Sequence, residues 1–529
     1  MFLSPDKILA AGREKSQVRR VPAPVRGLIR NENPVVQKSG GAEVLENWFP
    51  ALNGIVTRRG TSKYARLTGT TPVGAILPYI AGGNSKLFAA NNAGIYDITT
   101  VADPTVEISA ASGIGTVTSG EYSRVQFSTT GGDFLICVNG TNVHKIYDGS
   151  AWASDTPAIT GTTSDNFSHV WSHQKRLFFI KKNSLTACYL PVDSIGGVAS
   201  SLPLGGLFKL GGTLMFGSTW SVDSGEGMDD MCVFVTTEGE VAVFSGGNPA
   251  SSTDWALQGL FTIGRPMGKN AFFKAGGDLA VVTTDGLIPL SQIYKKDKVA
   301  LQQVAVSFPI ESLWREYVED RGAVRWVAET FPYKGAAYIG VPTYDGAGYR
   351  ILVVNMKTGA WTEYTNYDVR SMASFQNRLF FGQSASYVYE AETTGADNGS
   401  AFVCRCAASF SDLKAPAMQK VMKMCRGIFK STVANIRPRF SASSDEVVRW
   451  PSAPASALDG AATLWGAVTW GAFLWGGSTA TYRRAEWDSI EGVGHSISWQ
   501  VQVTLGNTIA PDIELQAVDL MFEVGDALA

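Results

Sequence analysis

Histidine is scarce in this chain, with four among 529 residues, and cysteine is little commoner at six. So few imidazoles leave little room for histidine-based acid–base or zinc chemistry. His169 and His173 lie four apart, but Val-Trp-Ser stands between them without the Glu of a zinc-protease helix. Residues four apart also share a face in a strand, so two structural histidines are expected. Cys137, Cys188 and Cys232 sit inside apolar strand-like runs, and Cys404-Arg-Cys406 lacks the two-residue gap of a zinc knuckle. Buried free thiols in a reducing compartment are the expectation, with no bound metal. No window of about 18 uncharged apolar residues occurs, so no membrane insertion is expected. The opening MFLSPDKILAAGREK lacks the charged-then-apolar layout of a secretory leader. No GxSxG elbow, Walker loop or Rossmann turn is present. The acidic stretch Gly225-Glu226-Gly227 to Asp229-Asp230 is not followed by a spaced ligand ladder, so it reads as a solvated loop. No cofactor and no catalytic residue are expected.

What the chain does have is glycine, 56 in all, and a recurring short apolar run that breaks at a turn and resumes. It appears as Leu87–Ile98, Phe134–Tyr147, Leu177–Leu190, Cys232–Phe244, Leu279–Leu290, Ile351–Trp361 and Leu379–Tyr389. Each reads as two strands around a tight turn, since Gly and Asn adopt the backbone angles a hairpin needs. The starts lie between about 28 and 72 residues apart, half of them near the 40–50 of one propeller blade. A lone hairpin cannot bury its own apolar face, so such units must pack around or along an axis. The fold class expected is all-β, with a central β-propeller of about seven blades over 70–395. Strict alternation should put Leu135 and Cys137 on one face of a blade, with Phe134 and Ile136 on the other. Pro309–Glu319 breaks the pattern: Leu313, Trp314, Tyr317 and Val318 fall at helical spacing.

Additional N- and C-terminal β modules flank this region. Residues 1–45 read as an extended basic arm, interrupted by Pro22, Pro24 and Pro34 and ordered only against a partner. An opening module follows at 46–69, and Ala42–Trp48, across its start, is expected to make a helical turn or two before Pro50. Asn53-Gly54 marks a turn before a strand at Ile55–Arg59. Residues 400–529 read as a separate β-rich domain, with strands at Ile497–Leu505 and Ile513–Val524.

Charge is segregated although the net value is only −2. Residues 1–66 carry +7, 67–404 carry −8, 405–440 carry +7 and 441–529 carry −8. In the second basic block Arg405, Lys414, Lys420, Lys423, Arg426, Lys430, Arg437 and Arg439 are opposed only by Asp412. Clustered cations neutralise phosphates and track a duplex backbone without reading sequence. Lys423, Arg426, Lys430, Arg437 and Arg439 are the candidate DNA-backbone contacts. Pairing with an acidic face of a neighbouring subunit, or plain solvation, stands beside that reading.

GGAEVLENWFPALNGIVTRRGTSKYA at Gly40–Ala65 resembles the opening module of tail nozzle proteins of short-tailed bacteriophages. The residues that carry the motif are Asn47, Trp48, Phe49, Pro50, Arg58, Arg59 and Gly60; Glu46 stands where that family often has Asp. Met231–Ser291 is similar to the family's central blades, and Ile490–Gly525 to its closing β segment. The resemblance implies a structural virion protein, also called tail tubular protein B or packaged-DNA stabilisation protein. It implies a homo-hexamer below the portal, contacting a tail adaptor protein, with tail fibres as a further partner. Duplex DNA would pass through its channel and be retained until ejection. Its place would be the virion tail, after assembly in the host cytoplasm. Two alternatives stay open. One is a glycan-binding or glycan-cleaving propeller, with Trp465, Trp470 and Trp475 stacking on sugar. The other is a cellular scaffold propeller.

Overall fold

The computed structural model describes residues 16–31, 40–221, 230–294, 298–321, 325–342, 349–416, 418–433, 436–456 and 482–525. Strands carry nearly all regular structure among these residues, so the class is all-β. The α-helix is confined to Lys298–Val304 and Glu311–Arg321. The second helix falls where helical spacing broke the strand pattern, and it buries Trp314 and Tyr317. The chain divides into two compact units. A ring unit comprises Thr61–Lys357 and Thr365–Glu392, and a terminal unit comprises Met1–Gly60, Thr358–Tyr364 and Thr393–Ala529.

All seven anticipated hairpins form neighbouring strands of one sheet. The seventh begins in Tyr349–Asn355, and its second strand, Trp361–Tyr367, is divided between the units. Seven sheets start with Ala75–Tyr79, Ser123–Thr129, Phe167–His173, Leu214–Trp220, Phe272–Ala275, Val327–Phe331 and Ser371–Phe375; six have three to five strands, and the one begun by Val327–Phe331 has eight. Each of these first strands touches the next, and the seventh touches the first. The step from the fourth to the fifth is the stacked pair Phe216–Phe272, with centroids 4.3 Å apart. The result is a closed, propeller-like cycle. Ser62–Leu67 completes the seventh sheet by pairing antiparallel with Tyr387–Ala391, so segments about 320 residues apart in sequence close the ring together. Alternation works as expected: Leu135 and Cys137 enter one apolar cluster, while Ile136 and Phe134 enter the next. A sheet packed on both faces needs apolar residues on both.

The terminal unit is built from two sheets. One holds Trp48–Pro50, Ile55–Thr57, Ile513–Val524 and Lys420–Ser431, with Gln17–Pro22 also paired to Ile513–Val524. The other holds Ala42–Glu46, Phe402–Ala408, Ile497–Leu505 and Arg439–Ser444. Phe429 of the first sheet meets Phe440 of the second at 6.1 Å. Gly427 leaves room for this, since a Cβ there would stand 2.4 Å from the Phe440 ring. Along Ile497–Leu505 the odd positions are apolar, and the even ones, Ser498, Gln500, Gln502 and Thr504, are polar and equally buried. Each makes a hydrogen bond, to Ala408, Ser443, Pro451 and Pro454 respectively, although Gln502 Oε1 is left without a partner.

Three expectations are corrected here. Ala42–Glu46 is a strand, not a helical turn: Leu45 pairs with Cys406, and cross-strand burial outweighs local helix propensity. Residues 16–31 are not an arm awaiting a partner. Gln17–Pro22 is a strand on the chain's own C-terminal strand, and Ala23, Leu28 and Ile29 are buried. The 46–69 module is split at Gly60, its remainder belonging to the ring unit. Arg13, Lys15, Pro34, Gly225 to Asp229 and the three tryptophans Trp465, Trp470 and Trp475 lie outside the described residues.

Contact between the third and fourth sheets can be tested at Gly217, where a Cβ would stand 2.4 Å from the Trp171 indole. That ring is 6% exposed and stacks on Phe178, so it has little freedom to give way. Gly217→Ala is expected to destabilise the protein by about 1–3 kcal/mol in chemical denaturation, the usual cost of overpacking.

Candidate functional site

The long strand Lys420–Ser431 carries half of the basic strip, and its antiparallel neighbour Ile513–Val524 belongs to the acidic block. Register therefore brings opposite charges together within one chain. Asp519 is paired with Arg426 on one side and with Arg20 of Gln17–Pro22 on the other. Its carboxylate accepts from Arg426 Nε at 3.0 Å and from Arg20 Nε at 2.7 Å and Nη2 at 3.0 Å. The side chain of Asp519 is 3% exposed, and hydrogen bonding from Arg20, then from Arg426, holds its carboxyl below the usual range. Lys423 pairs with Glu523 at 3.1 Å and Arg405 with Glu46 at 3.3 Å. Lys420 is buried and donates to the His495 carbonyl at 2.6 Å. Arg439 donates to Ser452 Oγ at 2.7 Å.

Of the five expected DNA contacts, Lys423 and Arg426 are thus neutralised within the chain. Lys430 and Arg437 are exposed, and no ion pair holds either among the described residues. Register sets Arg483 directly beside Lys430. Arg483 is a cation that sequence reasoning missed, because it lies in the block counted as acidic; its Arg483-Arg484 doublet was the available signal. Among the described residues Lys414, Lys430, Arg437 and Arg439 are the exposed cations of the strip that no ion pair holds, with Arg483 beside Lys430.

The motif residues of the opening module have a different role. Arg58 is fully buried. It donates from Nε to Asn47 Oδ1 at 2.7 Å and grips Asp397 with Nη1 at 2.8 Å and Nη2 at 2.6 Å. Its guanidinium carbon sits 3.8 Å from the centre of the Phe402 ring. Asn47 adopts φ 61°, a conformation open to Asn at small cost, and donates to the Val403 carbonyl at 2.7 Å. Trp48 is fully buried. A Cβ at Gly60 would stand 2.1 Å from the Ala396 carbonyl oxygen, so only glycine fits. Phe49 and Pro50 pair with Val56 and Ile55 across the hairpin, and Arg59 reaches Asp512 at the surface, 2.9 Å away. All of these but Arg59 build the terminal unit from the inside.

In the ring unit, His169 takes a hydrogen bond from Ser123 on Nδ1 and donates from Nε2 to the Gly217 carbonyl, both at 2.9 Å. Burial pushes its pKa down to about 3, so it is a neutral tie between neighbouring sheets. His173 is likewise held to the Gly246 carbonyl at 3.0 Å. The six cysteines are free and buried, with their thiol pKa values raised by desolvation. A cavity of about 190 Å³ between first strands is lined by Ser123, Arg124, His169, Asn270 and Glu329, among others. Burial raises the Glu329 carboxyl to about 7 against the pull of Arg124, whose Nη2 is 3.8 Å away.

No family model matches the sequence, and no curated protein matches it. Among solved structures the chain is similar to the computationally designed Ika8 protein, at 9% identity and TM-score 0.35, covering 63% of this chain and 99% of that one. It is similar to Chaetomium thermophilum Raptor at 11% identity and TM-score 0.37, covering 63% and 29%. It is also similar to BBS1N, solved in complex with ARL6DN, at 11% identity and TM-score 0.36, covering 64% and 97%.

Two outcomes test the terminal unit. Arg58→Ala leaves Asp397 buried without its partner and is expected to cost about 3–5 kcal/mol in urea denaturation. Arg58→Lys should recover little of this, since an ammonium cannot reproduce the planar fork. The depressed Asp519 carboxyl contributes stability above its unfolded pKa of about 4, and that contribution is lost as pH falls through its lower folded value. Asp519→Asn should therefore flatten the acid limb of a pH–stability curve.

Proposed function

We propose that this chain is the tail nozzle subunit of a short-tailed bacteriophage. In this reading a homo-hexamer docks to a tail adaptor, holds the end of packaged duplex DNA and releases it on infection. The observation that carries the reading is the interior role of the opening motif. Asn47, Arg58 and Gly60 are each required by a buried contact, as expected of a structural module. A scaffold function demands such rigidity.

The DNA-facing part of the proposal rests on the cations that the chain leaves exposed. Lys430, Arg437, Arg439 and Arg483 offer phosphate contacts without base readout, which suits a surface that must hold DNA yet let it slide. A sixfold ring would repeat each of them six times and multiply a modest field.

Mass photometry and negative-stain imaging of the purified protein test the assembly, and the expected particle is a sixfold ring. A stable monomer at micromolar concentration, with adaptor present, would overturn the reading. Replacing Lys430, Arg437, Arg439 and Arg483 by Ala is expected to leave rings intact while virions lose packaged DNA. Rings that retain DNA normally would remove the DNA-facing role from these residues.

A further inference from the structure

The first strands of six of the seven ring sheets converge on the cavity of about 190 Å³, which lies wholly within the ring unit. Ala75, Ser123, Phe272, Val327 and Ser371 line it, and each is the first residue of its strand. Among the described residues of the lining, the two that carry charge at neutral pH are Arg124 and Glu329, from the second and sixth sheets. His169 lines the cavity too and stays neutral. The charges that adjoin the lining in the chain are matched to one another. Lys269 donates to the Glu121 carbonyl at 2.7 Å, and Arg325 pairs with the Glu121 carboxylate at 2.5 Å.

Arg124 and Glu329 converge without closing on each other. Arg124 Nη2 stands 3.8 Å from Glu329 Oε2, beyond hydrogen-bond distance, and the two side chains remain 29% and 24% exposed. Both thus offer accessible atoms where they line the cavity. Arg124 is anchored through Nη1, which donates to the Ile76 carbonyl at 2.7 Å, so the guanidinium is held in place. Burial raises the Glu329 carboxyl to about 7, and neither Arg124 nor a backbone hydrogen bond from Ser374 offsets that. The pair therefore lacks a close cation beside Glu329 and a close anion beside Arg124. A molecule with both charges on neighbouring atoms supplies the two together, and charge-assisted bonds are the strong kind. Ile76, Phe272, Val327 and Met372 give the cavity an apolar wall as well. Its volume exceeds the roughly 150 Å³ of an engineered cavity that takes up benzene, so a small organic molecule has room.

We propose that this cavity binds a small apolar α-amino acid, of about valine's size, with its carboxylate on Arg124, its ammonium on Glu329 and its side chain on the apolar wall. Asn270 also lines the cavity, and its amide can donate or accept as the bound molecule requires. The site is independent of the nozzle reading, since it lies in the ring unit and the cations argued for DNA lie in the terminal unit. An occupant would tie together strands from several sheets, so binding should stabilise the ring.

The probe is L-valine, titrated calorimetrically into the full-length protein at neutral pH. Saturable binding of one valine per chain is expected, with a rise in melting temperature. N-acetylvaline lacks the ammonium and valinamide lacks the carboxylate, and each is expected to bind at least about tenfold more weakly. Glu329→Gln keeps the shape, and burial already disfavours the charge it removes, so this variant should fold normally. It is expected to bind valine about tenfold to a hundredfold more weakly, as for hydrogen bonds to a charged group. Arg124→Lys keeps a charge but loses the planar fork, and should weaken binding by about tenfold. An ammonium beside Glu329 favours its ionised form, so binding should release a fraction of a proton. That release is read from the dependence of the heat on the buffer's ionisation enthalpy. Lys269, which burial and then Arg325 lower to about 8, can exchange protons too, so the release must vanish in Glu329→Gln. The proposal is overturned by the absence of saturable heat with valine up to about 10 mM, or by valine binding unchanged in folded Glu329→Gln. It is equally overturned if N-acetylvaline and valinamide bind as well as valine, or if proton release persists in Glu329→Gln.

Discussion

The terminal unit depends on a buried positive charge. A guanidinium removed from water is costly unless its donors are met and its charge is balanced. Arg58 meets that condition by drawing together pieces of chain that are far apart in sequence: Asn47 from the first hairpin, Asp397 from a late loop and the Phe402 ring from the strand after it. Each partner is then fixed by its own constraint. Asn47 needs φ 61° to present its side-chain oxygen, and Gly60 needs the absence of a Cβ to let the backbone pass Ala396. Removing either partner of such a pair would leave an uncompensated buried charge.

Charge works differently on the sheet that holds Lys420–Ser431 and Ile513–Val524. The basic block at 405–440 and the acidic block at 441–529 are complementary, and the pairing of Lys420–Ser431 with Ile513–Val524 places them side by side. Asp519 between two arginines shows the consequence: much of the apparent cationic field is spent holding the sheet together. What remains for a partner is smaller than composition suggested, and it sits toward one end of the strand, where Lys430 and Arg483 are neighbours in register.

The strands and hairpins were legible in the sequence because their information is local. Turn residues and apolar alternation located six hairpins of the ring unit, as well as Ile497–Leu505 and Ile513–Val524, within a residue or two. The helix at Glu311–Arg321 was legible for the same reason. Ala42–Glu46 was not, since Ala-Glu-Val-Leu-Glu favours a helix and only the distant strand Phe402–Ala408 makes it extended. The neutralisation of Lys423 and Arg426 was equally hidden: their partners lie about 90–100 residues downstream, and no local pattern sets that register. The motif residues could be named from sequence, but that Arg58 would be wholly buried was visible only in three dimensions.

Both units share one topological property that bears on how the protein is made. The ring closes only when Ser62–Leu67 meets Tyr387–Ala391, and the terminal unit needs Gln17–Pro22 to meet Ile513–Val524, near the other end of the described chain. Closure entropy grows slowly with loop length, but these contacts give nothing back until both partners exist. Early segments such as Gln17–Pro22, with one exposed arginine and one turned inward, must therefore stay soluble through synthesis. The same residues become the edge of a sheet once the C-terminal strand arrives.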